Sequence, residues 1–371
     1  MSIQRITDSK YKIDVPIRYI GNKRIRHIET FYGTKTDAKL RESKIKLEIK
    51  NNTYMQKNKM TLEMLINEWL DYKKPIIAKK TYITNVLYSK NIIKNIGYIK
   101  LDKLNVKILE DFYNKLRITT NFADKTIRHH YNILSAALNC AVKWEYIPTN
   151  PNKKVQAIKV RKKEVEAYSF EEVQVLLNCI QDEDIKTQAI ILLALDSSCR
   201  RGEITGLKWS DVNFNNNSID VNKTTQYVPG YGVFEKTTKS SSGDRIIYLA
   251  QTTMNVLKQY KMEQEKIANM LGEKWKNSER VFTTNDGNDM KPDTPYLIFQ
   301  KVIKKYGLRK IPFHALRHTS ISLQIANNIQ PQIISKRAGH SDISVTHSTY
   351  SHFFNNSFKE VANTMDKILH T

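Results

Sequence analysis

The chain has 371 residues, and its 40 % apolar content suffices for two or three folded domains and argues against global disorder. Its 60 Lys and Arg outnumber 37 Asp and Glu, and the formal net charge of +23 indicates a polyanionic partner, with nucleic acid as the first candidate. No apolar run is long enough to span a membrane, the amino terminus lacks the apolar stretch of a secretion signal, and the three cysteines form no CxxC pair. We therefore expect a soluble cytoplasmic protein without a disulfide framework or a cysteine-based zinc site.

The positive charge is concentrated in the amino-terminal half of the chain. Residues 1–57 carry a net charge of +8 and residues 58–160 carry +10, which leaves +5 for residues 161–371. A codon bias toward lysine would act along the whole chain, so this distribution favours a DNA-binding surface within the first 160 residues. We expect no membrane partner, because the large apolar side chains of these segments have the spacing of a protein core.

The chain begins with strand-like and then helical patterns. Apolar and polar residues alternate over 10–33, with a turn signal at Gly21-Asn22, which predicts a small antiparallel sheet followed by a helix over 35–57. Thr61 is a predicted N-cap, and apolar residues then recur at helical spacing over four segments: 61–74, 79–96, 105–117 and 124–144. The patterns predict one domain over 1–57 and a helical bundle over 58–155.

A second half begins after a predicted linker over 156–166. Ser169 and Glu172 have the spacing of a capping box at the start of a helix. Further helices are predicted over 185–197 and 202–209, a small inserted sheet over 218–250, and mainly helices from there to the end of a domain spanning 167–371.

Three stretches of this second half carry residues suited to binding a phosphodiester. Arg200 stands in a bend before a helix, in SSCRRGEITG, and His314 and Arg317 are three residues apart in FHALRHTS, on one face of a predicted helix. His340 follows a glycine in AGHSD. Two guanidiniums can donate paired hydrogen bonds to the non-bridging oxygens of a pentacoordinate phosphate, and the histidines can hydrogen-bond an oxygen or shuttle a proton.

A nucleophile and an acid complete this chemistry. Tyr350, ten residues beyond His340, can attack in line and form a 3′-phosphotyrosyl bond. A lysine of the polar turn EKTTKSSSGD, Lys236 or Lys239, can protonate the leaving 5′-oxygen. The covalent bond conserves energy and the arginines supply the positive charge, so we expect no cofactor and no metal; the chain has no GxxxxGK[ST] loop for ATP.

This set of residues, in this order, resembles the tyrosine recombinases, specifically the integrases of phages and conjugative transposons. The family's three boxes are similar to SSCRRGEITGLKWSDV, FHALRHTSIS and AGHSDISVTHSTYSH. The resemblance implies Glu203 as a supporting acid, Tyr350 as the nucleophile, and a catalytic set of Arg200, Lys239, His314, Arg317, His340 and Tyr350.

Two features depart from the family pattern. Ser198 and Cys199 stand where the family has a glycine and an apolar residue before the arginine. The family places its lysine five to six residues before a basic residue of the following strand, so counting back from Arg245 selects Lys239. The long turn SSSGD leaves Lys236 as an alternative.

The resemblance implies a multi-domain, mainly α fold with an arm-binding β-sheet plus helix over 1–57, a helical core-binding bundle, and a mixed α/β, mostly α, catalytic domain. It implies site-specific integration and excision of a mobile element in the bacterial cytoplasm, with association with the nucleoid. The implied partners are double-stranded DNA with core and arm attachment sites, a homotetramer on paired sites, and an excisionase or DNA-bending accessory protein. A type IB topoisomerase and a non-catalytic DNA-binding regulator derived from an integrase remain the alternatives.

The carboxyl terminus has its own pattern. Apolar residues recur at helical spacing from Phe358 to Leu369, which predicts an amphipathic tail helix. Such a helix either folds back on its own domain or docks onto a neighbouring protomer.

Overall fold

The computed structural model describes residues 2–20, 23–50, 60–156, 159–160, 166–237, 244–277, 279–340, 342–344, 350 and 365. The chain divides into two compact units, residues 1–162 and 163–371. The described residues form twelve α-helices and eight β-strands. The predicted multi-domain, mainly α fold class is confirmed.

The amino-terminal residues form a three-stranded antiparallel sheet in the order β1-β2-β3, followed by a helix. The elements are β1 (Ile3–Thr7), β2 (Lys10–Ile20), β3 (Lys23–Tyr32) and α1 (Lys35–Lys50). Tyr11, Ile13 and Val15 of β2 are buried with Ala38 and Ile45 of α1. The sequence pattern missed β1, because four of its five residues are exposed and the strand shows no apolar alternation. The predicted turn at 21–22 and the end of the predicted helix, 51–57, lie outside the described residues.

The helices predicted for the next segment are confirmed. They are α2 (Leu62–Lys73), α3 (Lys79–Ile96), α4 (Val106–Thr119) and α5 (Asp124–Lys143). Thr61 is the N-cap of α2, and its hydroxyl accepts a hydrogen bond from the backbone N–H of Met64. Their apolar faces form one core around fully buried side chains such as Leu65, Leu109 and Leu134.

The second unit is built around buried helices. They are α6 (Phe170–Ile180), α7 (Ile185–Ser197), α8 (Arg201–Gly206), α9 (Gln251–Leu271), α10 (Thr294–Tyr306), α11 (His314–Ala326) and α12 (Pro331–Ala338). The capping box of Ser169 and Glu172 is confirmed at the start of α6. The middle of α7, residues 189–195, is apolar on all sides, as expected of a helix segment buried in the centre of a domain.

The inserted strands form two sheets, where the sequence pattern predicted one. They are β4 (Val212–Asn213), β5 (Ser218–Val221), β6 (Lys223–Val228), β7 (Gly232–Thr237) and β8 (Arg245–Tyr248). Strand β8 returns to pair with β5, so that β6 and β7 form a separate hairpin. In the part of the chain that the structure describes, no helix is long and apolar enough to cross a membrane.

Candidate active site

The site is built at the corner between α7 and α8. Ser198 ends α7 in the left-handed conformation, with φ 56°, in the position where the integrase pattern has a glycine. Its hydroxyl lies 2.7 Å from that of Ser320 on α11, a hydrogen bond that offsets the strain of a positive φ in a residue with a side chain. The turn places Arg200 at the N-cap of α8 with a side chain that is 45 % exposed. The neighbouring Arg201 turns away to an ion pair with Asp293, 2.6 Å apart.

The second arginine, Arg317, faces this corner from α11. It is 3 % exposed, and its Nη1 donates a hydrogen bond of 2.6 Å to the carbonyl oxygen of Ser198. Burial and the positive charge of Arg200 lower the pKa of Arg317 to about 10, so it stays charged at neutral pH. Two neighbouring guanidiniums repel each other unless an anion lies between them, so the arrangement favours a bound phosphate.

The carboxylate of Glu203 holds two of the guanidinium groups in place. This carboxylate, buried at 5 % exposure, accepts hydrogen bonds from Nη1 of Arg200 at 2.9 Å and from Nη2 of Arg245 at 2.8 Å. Burial alone would raise the pKa of Glu203, but the charge and hydrogen bond of Arg245 outweigh it and hold the pKa below its ordinary value. Glu203, which the resemblance implies as a supporting acid, is therefore negatively charged where it contacts Arg200.

The end of α12 is hydrogen-bonded to Arg200 and Arg245. Nη2 of Arg200 donates to the carbonyl oxygen of Gly339 at 2.9 Å, and Nε of Arg245 donates to that of Arg337 at 2.7 Å. Gly339 has φ 68°, and a Cβ there would lie 2.7 Å from Nη1 of Arg245. A glycine is thus required at this point, and it presents His340 to the site.

His314 and His340 complete the polar surroundings of the two arginines. His314 opens α11, and His340 follows α12 and is half-buried. The packing of protein around each ring and the positive charges of Arg317 and Arg200 lower the pKa of both histidines to about 4. Both rings are neutral at neutral pH and available as hydrogen-bond donors or acceptors.

Tyr350 is only 1 % exposed and packs with Ile321, Ile325 and Ile334. Its hydroxyl lies 2.5 Å from Nδ1 of His318, a residue of α11 that the sequence analysis did not select. Burial raises the pKa of Tyr350 to about 12, although the charge of Arg317 acts in the opposite direction. The phenol is therefore protonated in this state.

The hairpin of β6 and β7 packs closely against the backbone of α8. A Cβ on Gly202 would lie 2.5 Å from the hydroxyl oxygen of Thr224 and 2.7 Å from the carbonyl oxygen of Thr225 on β6. Lys236 is half-buried on β7, where it pairs in register with Thr224. Lys239 lies outside the described residues.

Hydrogen bonds therefore join Glu203 to both Arg200 and Arg245, and Arg200 to the carbonyl oxygen of Gly339. Arg317 is held beside them by its bond to the carbonyl oxygen of Ser198, two residues before Arg200. Sequence reasoning missed His318 and used Arg245 only as a marker for counting. The i, i+4 spacing of His314 and His318 was a signal that both lie on one helix face. The pairing of Arg245 with Glu203, 42 residues apart, had no such local signal.

Comparison with known proteins identifies the chain. The model of the phage integrase family matches residues 167–356, about half of the chain, and that of the phage integrase SAM-like domain matches residues 61–156. The chain belongs to the phage integrase family. It is thus a tyrosine-type site-specific recombinase, as its sequence predicted.

Relatives match this integrase-family chain along its length. The ICEBs1 integrase of Bacillus subtilis is 24 % identical over 100 % of both chains, and a XerC-like tyrosine recombinase of Caldanaerobacter subterraneus is 25 % identical over 92 % of both. The structure of the Tn1549 transposon integrase in complex with a circular intermediate DNA has a TM-score of 0.70 and 19 % identity, covering 82 % of this chain and 99 % of that one. These relatives give no support to the topoisomerase or regulator alternatives.

Proposed function

We propose that this integrase inserts and excises a mobile element by cutting and rejoining DNA at attachment sites through a 3′-phosphotyrosyl bond at Tyr350. The observation that carries the proposal is one constellation: the partly exposed guanidinium of Arg200, the buried guanidinium of Arg317 and the Tyr350 phenol all meet at helix α11 and the ends of α7 and α12.

The roles follow from charge and geometry. Arg200 and Arg317 stabilise the negative charge that develops on the phosphate oxygens, with Glu203 fixing the orientation of Arg200. His314 and His340 hydrogen-bond a phosphate oxygen or shuttle a proton. Lys239, with Lys236 as the alternative, protonates the 5′-oxygen as it leaves. The 5′-hydroxyl of a DNA strand from the partner duplex then attacks the phosphotyrosine, which releases Tyr350.

Double-stranded DNA is the substrate. The solved relatives include the Tn1549 integrase and the lambda integrase bound to DNA. In this chain the net charge of +18 on the first 160 residues supplies the phosphate contacts. We assign residues 1–57 to arm sites and residues 58–155 to core sites, with 156–166 as the linker. Lys12 and Arg26 lie on the sheet's open face, opposite to the face that packs on α1.

Recombination of two duplexes requires four strand cleavages, so we propose a homotetramer on paired sites. The predicted tail helix of 357–371 docks in this proposal onto a neighbouring protomer; of it, Met365 alone lies within the described residues. An excisionase or DNA-bending protein is the proposed accessory partner, and we place the bound enzyme on the bacterial nucleoid.

Strand exchange between two duplexes tests this function. A duplex that the wild-type protein selects from a random-sequence pool is placed on a plasmid and on a labelled fragment, and recombinant joints are scored in EDTA without nucleotide. We expect joints at one fixed position, dependent on Tyr350. Relaxation of a plasmid lacking the selected duplex, without joints, would instead indicate a topoisomerase.

A further inference from the structure

The hydroxyl of Tyr350 needs a proton acceptor at the moment of attack, and α11 offers one that the assigned catalytic set does not contain. Nδ1 of His318 lies 2.5 Å from Oη of Tyr350, and the ring centroids are 5.7 Å apart. With the imidazole proton on Nε2, the phenol donates directly to the lone pair on Nδ1. We propose that His318 is a further catalytic residue, the base that takes the Tyr350 proton when the phenol oxygen attacks the phosphodiester. This inference rests on the proposed function of Tyr350.

The position of His318 on its helix favours this role. It follows Arg317 directly and lies one turn after His314, whose ring meets it edge-on with 4.8 Å between centroids. The base and the phosphate-binding arginine are thereby held on one rigid helix, and the hydrogen bond to Tyr350 joins that helix to the nucleophile. The isoleucines of the Tyr350 pocket, Ile321 and Ile325, belong to the same helix.

The proton transfer balances as follows. The Tyr350 O–H bond breaks and its proton moves to Nδ1 of His318, while the phenol oxygen forms a bond to phosphorus. The bond from phosphorus to the 5′-oxygen breaks, and Lys239, or Lys236 as the alternative, donates a proton to that oxygen. On rejoining, the 5′-hydroxyl returns its proton to the lysine, and the imidazolium of His318 returns a proton to the departing phenol. Neither an oxidant nor a metal enters the balance.

The surrounding charges make this base dependent on substrate. Burial, the neighbouring ring of His314 and the charge of Arg317 lower the pKa of His318 to about 4, with His340 contributing further. The pKa of Tyr350 is about 12, so the free protein holds the proton on the phenol. A phosphodiester between the arginines brings a negative charge that opposes their field, which raises the basicity of His318 when DNA is bound.

The experiment measures the rate of covalent adduct formation on a suicide substrate, a duplex selected from a random pool and nicked beside the cleaved bond. His318→Asn is the main variant, because its amide oxygen can accept the hydrogen bond of Tyr350 but cannot take the proton at neutral pH. We expect the rate to fall by about 100-fold or more, the scale of a lost general base, while retention of the duplex is unchanged. His318→Gln serves as the second variant if His318→Asn does not fold.

A fluorinated tyrosine at position 350 separates a base from a residue that only positions the phenol. A more acidic phenol loses its proton without help, so we expect fluorination to recover at least about tenfold of the loss in His318→Asn and to change the wild type much less. A His318→Asn rate within threefold of the wild type, about 0.7 kcal/mol, or an equal fluorination effect in both backgrounds would overturn the inference. A wild-type protein that forms no adduct would overturn the proposed function and the inference with it.

Discussion

The carboxylate of Glu203 and the guanidinium of Arg245 form a buried ion pair, with 2.8 Å between Oε2 and Nη2 and side chains only 4 % and 8 % exposed. The pair joins the first helical turn of α8 to the start of β8. Through Arg245 it also reaches the carbonyl oxygen of Arg337 at the end of α12. One buried ion pair therefore holds both the start of α8, which presents Arg200, and the end of α12, which presents His340.

Glu203→Gln tests this role. The substitution leaves the Arg245 charge buried without its counter-ion, and we expect the free energy of unfolding to fall by about 3–5 kcal/mol. The matched control is Asp293→Asn, which breaks the exposed pair with Arg201 and should cost less than about 1 kcal/mol. Denaturant titration measures both. Equal losses in the two variants would show that the buried pair has no special structural weight.

Substitutions of the two phosphate-binding arginines should differ in their effect on stability, because Arg317 is buried and Arg200 is partly exposed. Arg200→Lys and Arg317→Lys each keep a charge but lose the planar fork, and we expect cleavage to fall by about 100-fold or more in both. Arg317→Lys should also lower the free energy of unfolding, because the buried hydrogen bond to Ser198 is lost. Cleavage and duplex retention are measured together. Equal losses in cleavage and retention would assign these arginines to DNA binding alone.

A substrate with an altered leaving group tests the choice between Lys239 and Lys236 as the acid. A 5′-bridging phosphorothiolate leaves as a thiolate and needs no proton donor, so it should restore cleavage to the variant that lacks the acid. We expect rescue of Lys239→Ala and no defect to rescue in Lys236→Ala, whose side chain is half-buried on β7. Rescue of Lys236→Ala instead would assign the acid to that residue.

Acid should destabilise the second unit through its neutral histidines. An unfolded histidine has a pKa near 6.5, whereas the folded pKa of His318 and His340 is about 4. Between these values the unfolded chain binds protons that the native chain does not. The contribution of these histidines to the free energy of unfolding is therefore complete above pH 6.5 and decreases as the pH falls toward 4. Each such group contributes up to about 1.4 kcal/mol per pH unit. Unfolding measured at pH 5, 6 and 7.5 should show a shallower slope in His318→Asn; an unchanged slope would contradict the assignment.

Local sequence patterns predicted much of this fold. The helices of residues 61–144 follow from an apolar stripe at 3.6-residue spacing and from the Thr61 cap, both of which act within a few residues. The pairing of β8 with β5 depended on a return of the chain from residue 245 to residue 221, which no local pattern encodes.

The candidate site divides in the same way. The positions of Arg200 and Arg317 were readable as motifs, but the contact of Arg200 with Gly339 joins residues 139 apart in sequence. His318 was visible as a neighbour of His314 on a helix face. Its contact with the Tyr350 hydroxyl required the tertiary packing that buries the tyrosine against α11. We therefore attribute the missed residues to long-range contacts.

The site of covalent attachment tests the role of Tyr350 most directly. Wild-type protein is incubated in EDTA with the nicked suicide duplex, the adduct is digested, and the peptide that carries the nucleotide is sequenced by mass spectrometry. We expect a 3′-phosphodiester on Tyr350 and no adduct with Tyr350→Phe, which keeps the buried ring but loses the attacking oxygen. Attachment at another residue, or an adduct that persists in Tyr350→Phe, would contradict that role.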